Sequence, residues 1–296
     1  MSWLRGEILP IEEILHRSET SCIVHFCCTP ESSFFLNSGP IQNDIFVFPR
    51  QSVVIEHESK PGFLAGPNLV TLYNAGQRYQ RQHVADSTGD CCDWFAVSPD
   101  VLLEMRSRYA LPGVDDDRGP FAIPYVSSPG VVFRRERMIL DMLRGRAALD
   151  PLEVDELVLD LLDSILQLAS TRRFDHRGSS RQRRHHVEEA KMILAVTLES
   201  PPSLRAIASH VGVSVYYLCK IFRQETGFAI HEYRQQLRLR HALDEVLHSE
   251  DLLDTALRLG FNSHSHFTFA FRKEFGVTPS ELRRKRALPR VLGHSA

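Results

Sequence analysis

The chain has 296 residues, 43% of them apolar and 24% charged. This is ordinary globular composition, long enough for about two domains with real cores. No apolar run approaches the ~18 residues of a membrane span. The opening MSWLRGEILPIEEIL has early acids where a secretion signal has a basic start and an apolar stretch, so a cytoplasmic protein without a membrane partner is expected. The formal net charge of −2 hides an asymmetry: residues 181–296 hold 18 Lys and Arg against 12 Asp and Glu, a balance of +6, which leaves −8 on residues 1–180. A basic end on an acidic front points to an anion-binding module, and nucleic acid is the large anion such a module meets. On charge alone, a merely solvated basic face stays open.

From the N-terminus, SCIVHF, DIFVF, SVVIEHE, LVTLYN and CDWFAV read as short strands within residues 20–98. They are rich in Val, Ile and aromatics and separated by turn signals such as NSGP, KPG and AGPN, the spacing of an antiparallel barrel or sandwich. SPDVLLEMRSRYA then offers Ser98 as an N-cap and Pro99 at the first helical position. Helical patterns follow over 131–145 and 151–170. The second carries a broad stripe of Leu157, Val158, Leu161, Leu162, Ile165 and Leu168, which needs cover from its own domain or from a second copy. RRFDHRGSSRQRRHH, 172–186, lacks periodicity and reads as a linker, assigned to 173–184.

After the linker one pattern occurs twice. Ala208, Val211 and Gly212 match Ala256, Leu259 and Gly260 at an offset of 48, and Leu218, Phe222, Arg223, Glu225 and Gly227 match Phe267, Phe271, Arg272, Glu274 and Gly276 at 49. Agreement of this density marks two related units. Each reads as a short helix, a turn at Gly212 or Gly260 where positive φ is needed, and a longer helix capped by Ser214 or by Asn262 or Ser263. Gly227 and Gly276 end the second helices. This is the helix-turn-helix arrangement, whose second helix enters the DNA major groove. FTFAF alternates like a strand, yet Phe267, Phe271 and Phe275 are spaced by four and line one helical face. A helical stripe through Leu237, Ala242, Leu243, Val246 and Leu247 lies between the units. A rigid helix there would hold the reading helices for successive major grooves, about 34 Å apart.

The last hundred or so residues resemble the AraC/XylS family of bacterial transcription regulators. The matching residues are Leu204-Arg-Ala-Ile-Ala, Leu218-x-x-x-Phe222-Arg, Gly260-Phe261-x-Ser263, His266-Phe267-x-x-x-Phe271-Arg-Lys-x-Phe275-Gly and Thr278-Pro279-Ser280-x-x-Arg283. The resemblance covers about a third of the chain, and its second-unit motif is the specific part. It implies an N-terminal domain, commonly a cupin-like β-barrel followed by helices, for effector binding or dimerisation. The expected fold is therefore α+β: a cupin-like antiparallel β-barrel with following helices over 1–172, then an all-α DNA-binding domain over 185–288, with units 204–227 and 252–276 joined by a helix. Expected partners are double-stranded DNA, with a small-molecule effector, RNA polymerase and a second copy of the chain as further candidates. The resemblance implies an activator, while the residues themselves do not choose between activation and repression. The chain departs from the family's pattern at Phe269, where Arg is frequent, at Cys219, where a polar base-reading residue is common, and at Ala229-Ile230, where Ser-Pro is usual. Phe269 either touches a thymine methyl or packs inward.

The DNA-contacting residues read from position are Val215, Tyr216, Cys219, Lys220 and Arg223 in the first unit. In the second they are His264, Ser265, His266, Thr268, Phe269 and Arg272. The arginines suit phosphate contacts. For each, the bland reading is an exposed helical residue that touches nothing. His264 and His266 diverge by about 200° on a helix, which argues against a shared metal. Cys27-Cys28 and Cys91-Cys92 each place one cysteine inward from a strand. Should the strands adjoin, a thiolate cluster or redox pair is open to them, but buried thiols rather than bridges are the expectation. G-x-x-x-x-G-K-[ST], H-E-x-x-H and G-x-S-x-G are all missing, and His25, His57 and His83 are scattered, not set as a metal-using cupin's H-x-H. No catalytic residue, metal or cofactor is therefore expected. The readings of other classes are a cysteine-based redox or metal sensor on the same DNA-binding base and a cupin-type enzyme fused to DNA-binding helices.

Overall fold

The computed structural model describes residue 4 and residues 11–36, 39–57, 61–84, 89–109, 119–145, 149–171, 181–198, 202–248, 252–261 and 263–287. The N-terminal part runs β1 (Glu12–Arg17), β2 (Ser21–Cys28), α1 (Ser33–Leu36), β3 (Ile45–Pro49), β4 (Val53–His57), β5 (Phe63–Ala65), β6 (Leu69–Tyr73), β7 (Tyr79–Gln82) and β8 (Asp90–Val97). It continues through α2 (Pro99–Ser107), β9 (Tyr125–Ser127), α3 (Gly130–Arg144) and α4 (Pro151–Thr171). All five expected strands are present, as β2, β3, β4, β6 and β8. The others carry weaker signals: β7 reads YQRQ, with only Tyr79 and Arg81 turned inward.

Every strand pair is antiparallel. The ladders form a six-stranded sheet, β1-β2-β8-β3-β6-β9, and a three-stranded sheet, β5-β4-β7, and not the single closed ring of the expected barrel. Alternation along each strand builds two cores. Cys22, Val24, Trp94 and Ala96 face the space between the sheets. Ile23, Phe46, Phe48 and Phe95 face the other way, against Val158, Leu161, Leu162 and Ile165 of α4. The broad stripe of α4 is thus covered by its own sheet. Pro99 opens α2 as expected, but the Ser98 side chain makes no capping bond.

The C-terminal part is helical: α5 (Arg181–Val196), α6 (Leu204–Val211), α7 (Val215–Thr226), α8 (Ile230–His248), α9 (Leu252–Arg258), α10 (His264–Phe275) and α11 (Pro279–Ala287). The expected linker is corrected at its end. Residues 181–184 form the first turn of α5, because the burial of Val187, Ala190, Lys191 and Leu194 holds that helix down from one turn further on. Residues 173–180 lie outside the described residues. Gly212 and Gly260 turn between helices at φ 74° and 76°, and Gly227 and Gly276 end α7 and α10 at φ 81° and 76°. Ser214 accepts from Tyr217 N and Ser263 from His266 N, so each longer helix begins on a serine cap. Asn262, the other cap candidate, lies outside the described residues. The first unit has a core from Val187 to Leu237, and the second one from Leu239 to Leu282 that also takes in Phe133 of α3.

Candidate nucleic-acid interface and the contacts behind it

In α7, Leu218, Ile221 and Phe222 are buried, which turns Tyr216, Cys219, Lys220 and Arg223 outward. Tyr216 is 78% exposed, a large aromatic held in solvent on a helix that has a full apolar face elsewhere. Val215 is half-buried and packs in part against the unit's core. In α10, Phe267, Ala270, Phe271 and Phe275 are buried, and His264, Ser265, His266 and Arg272 are exposed. Thr268 is half-buried. Phe269 is 70% exposed, so it does not pack inward. By the repeat offset of 49, Phe269 stands where Lys220 stands in the first unit. A groove of about 660 Å³ runs beside α7, bounded by Tyr216, Cys219, Lys220 and Arg223 on one side and by Ala229, His231 and Arg234 at the start of α8 on the other.

The turns that aim these helices are set by local hydrogen bonds. The Glu232 carboxylate accepts from Ala229 N at 2.9 Å, and the Glu281 carboxylate accepts from Thr278 N at 2.7 Å while Thr278 Oγ1 accepts from Glu281 N. These main-chain bonds hold both carboxyls below the ordinary range. The Ala229-x-x-Glu232 spacing thus does for α8 what a Ser-Pro turn does elsewhere, a signal legible in the sequence through the acid three residues on.

The sequence contains no sign of how the second unit is seated. Phe133 and Met138 of α3 pack into its core. Arg240 of α8 is 2% exposed. It donates to Pro67 O at 2.9 Å, to Ser128 O, and to Glu274 Oε1 of α10 at 2.9 Å. Its guanidinium also lies 5.3 Å from the Phe133 ring centre. Burial pulls the Arg240 pKa down and the Glu274 charge opposes that. Gly130, the first residue of α3, abuts the main chain of Glu274 so closely that a Cβ would collide with its carbonyl oxygen. Nearby, the buried Arg137 bonds Glu136 at 2.7 Å and Asp93 of β8 at 3.1 Å, and lies 3.6 Å from Asp244 of α8. Burial alone would raise Asp93; the hydrogen bond from His25 and the charges of Arg137 and Arg50 more than offset it and hold the carboxyl at about 2.

Between the sheets lies a cavity of about 730 Å³, lined by Phe26, Ile45, Val53, Ile55, Tyr73 and Trp94 among others. Its charged groups are already engaged: Arg81 bonds Asp90 and the Tyr79 hydroxyl at 2.5 Å each, and Phe34 O at 3.1 Å. The lining is otherwise largely apolar, as small-molecule sites commonly are. Burial pushes the Tyr73 hydroxyl and the Cys92 thiol well above their ordinary pKa values, so both stay protonated.

The cysteines require a correction. Cys22, Cys28 and Cys92 are buried thiols as expected, but Cys27 and Cys91 face outward, opposite each other on β2 and β8, and are joined as a disulfide. Which strands would adjoin was not readable from the sequence. His25, expected to be merely structural, lies beside this pair. His57 is buried, with Nδ1 2.7 Å from Gln77 Nε2.

Residues 207–285 match a family model described as a helix-turn-helix domain. Among curated proteins, the chain is 32% identical over 160 residues to the transcriptional activator RhaR of Cronobacter sakazakii, covering 52% of this chain and 54% of that protein. It is 33% identical over 105 residues to RhaR of Klebsiella pneumoniae, covering 35% and 37% respectively. A solved structure of a transcriptional regulator with an AraC-type DNA-binding domain, from Chromobacterium violaceum, is 34% identical. It covers 36% of this chain and 95% of that one, at a TM-score of 0.33. The chain thus spans about a third to a half of the length of the curated relatives it matches. The two glycine-turned units, with longer helices that begin on serine caps, thus lie within the residues that match the helix-turn-helix model, and this part of the chain is similar to AraC-type DNA-binding domains.

Proposed function

We propose that the chain is a sequence-specific DNA-binding transcription regulator, active in the cytoplasm, that reads two adjacent major grooves with α7 and α10. The observation that carries this reading is the outward row on both helices. Tyr216, Cys219, Lys220 and Arg223 form one row, and His264, Ser265, His266, Phe269 and Arg272 the other, each opposite a fully buried apolar face. Val215 and Thr268 contribute through the parts they leave exposed. Arg223 and Arg272 hold phosphates, and the residues toward each helix start meet base edges. The cavity between the sheets takes a small, mostly apolar effector, which acts by binding two arrangements of the chain unequally. Homodimer formation and contact with RNA polymerase are part of this proposal and rest on the family resemblance alone. The sheet domain stands in for the cupin-like barrel of that resemblance.

Selection of bound duplexes from a random library by the full-length protein tests this. Two enriched blocks about one helical turn apart are expected. A single block would remove one unit from base reading, and no enrichment, with the full chain or with its helical part, would overturn the proposal.

A further inference from the structure

The outer face of the β2–β8 ladder carries chemistry that DNA reading does not use. Cys27 lies directly opposite Cys91, and His25 directly opposite Asp93. Residues two apart on a strand share a face, so all four side chains project from the same side of the sheet. The two sulfurs and an imidazole nitrogen of His25 lie within 4.8 Å of one another. His25 Nδ1 is 2.8 Å from Asp93 Oδ1, and Asp93 is fully buried and further tied to Arg50 at 2.5 Å and Arg137 at 3.1 Å. That carboxylate fixes the ring and leaves Nε2 as the ligating nitrogen, the support a metal-bound histidine ordinarily has. Cys27 is exposed, which provides an entry path.

We propose that the Cys27–Cys91 pair, when reduced, forms with His25 a three-donor site for one Zn²⁺ ion. Two thiolates and an imidazole are donors this ion takes at 2.0–2.3 Å, roughly, with a fourth position left to water. The two thiolate charges balance the ion. Glu13 of β1, opposite His25 in register, adds a further carboxylate on that face. Reduction by a phosphine breaks the sulfur–sulfur bond: phosphorus takes the oxygen of one water, becoming phosphine oxide, and the sulfurs leave as two thiols. Metal binding then releases both thiol protons to solvent. The site lies one hydrogen bond from Asp93, and through Arg137 it is next to the ion pairs that reach α8.

The test uses the full-length chain with Co²⁺ as a spectroscopic substitute for Zn²⁺, before and after phosphine reduction. The reduced chain is expected to bind one equivalent with a thiolate-to-cobalt charge-transfer band that Zn²⁺ abolishes, and the unreduced chain to show none. Cys27→Ser and Cys91→Ser each remove the band, and His25→Ala weakens binding by about tenfold or more, since even an outer-shell partner is worth that much. Cys219→Ser keeps the band. A reduced chain with no band, a band in the unreduced chain, or a band that survives Cys27→Ser would overturn the proposal. No DNA enters the measurement, so its result is independent of the regulator reading.

Discussion

The two helix-turn-helix units are copies of one pattern in two different settings. Among the described residues, the core of the first is made within 187–237. The second closes its core only with Phe133 of the sheet domain, and its connecting helix sends Arg240 into that domain's main chain. The first unit touches the sheet domain chiefly through α5, where Glu188 accepts from Leu64 N at 2.7 Å. A repeat therefore fixes how each unit folds, but not how it is held. Any signal from the sheet domain has a shorter physical route to α10 than to α7, because Glu274 of α10 belongs to the same buried cluster as Arg240, Ser128 and Gly130.

The largest expected effect comes from breaking that cluster. Arg240→Ala strands Glu274 at a nearly dry interface and leaves two buried carbonyls without their donor. It should lower stability by about 3–5 kcal/mol, the range for removing one partner of a buried pair. Urea unfolding measures this, and a loss below about 1 kcal/mol would show that the clasp is not formed in solution. Gly130→Ala is more selective. Its methyl group meets the Glu274 carbonyl, so α3 and α10 must separate, at a cost of about 1–3 kcal/mol typical of overpacking. Hydrogen exchange should quicken in α10 and stay unchanged in α7. Equal quickening in both would erase the asymmetry between the units.

Among the outward positions that the repeat matches, Lys220 stands against Phe269, a charge against an aromatic ring. Lys220→Ala should weaken binding to all sequences and reduce the slope of log affinity against log salt by about 1, as for one lost phosphate contact. Phe269→Ala should leave that slope unchanged and relax base preference at one position, where contact with a thymine methyl is lost. A salt-slope change in the Phe269 variant, or none in the Lys220 variant, would reverse this expectation.

The legible parts of this molecule were those with a local cause. The repeat, the turn glycines, the serine caps and the spacing of Phe267, Phe271 and Phe275 follow from backbone geometry within a few residues, and they placed α6, α7, α9 and α10 correctly. Strands rich in Val, Ile and aromatics were legible for the same reason. The choice between a closed barrel and two sheets was not, because strand pairing joins residues as distant as Cys27 and Cys91. The disulfide and the placement of His25 were hidden with it. Arg240 looked like any other charge on an Arg-rich helix. Its burial depends on Pro67 and Ser128, more than a hundred residues away in the chain.

The smallest effect gives the finest comparison. Ser214 and Ser263 each offer Oγ to the main-chain N–H three residues on, at 3.2 and 3.1 Å. Replacing either with Ala leaves that N–H to water and should cost about 1 kcal/mol. If capping is purely local, the two losses are equal, and the midpoint of denaturant unfolding shifts by the same amount with no change in its slope. The unit seated on α3 has one further restraint: its helix is held at the far end, by Glu274. A smaller loss for Ser263→Ala than for Ser214→Ala would therefore mean that the clasp stiffens the whole reading helix. Equal losses would confine its influence to the last turn of α10, leaving the helix start, where the residues proposed to read bases stand, as loosely held in the second unit as in the first.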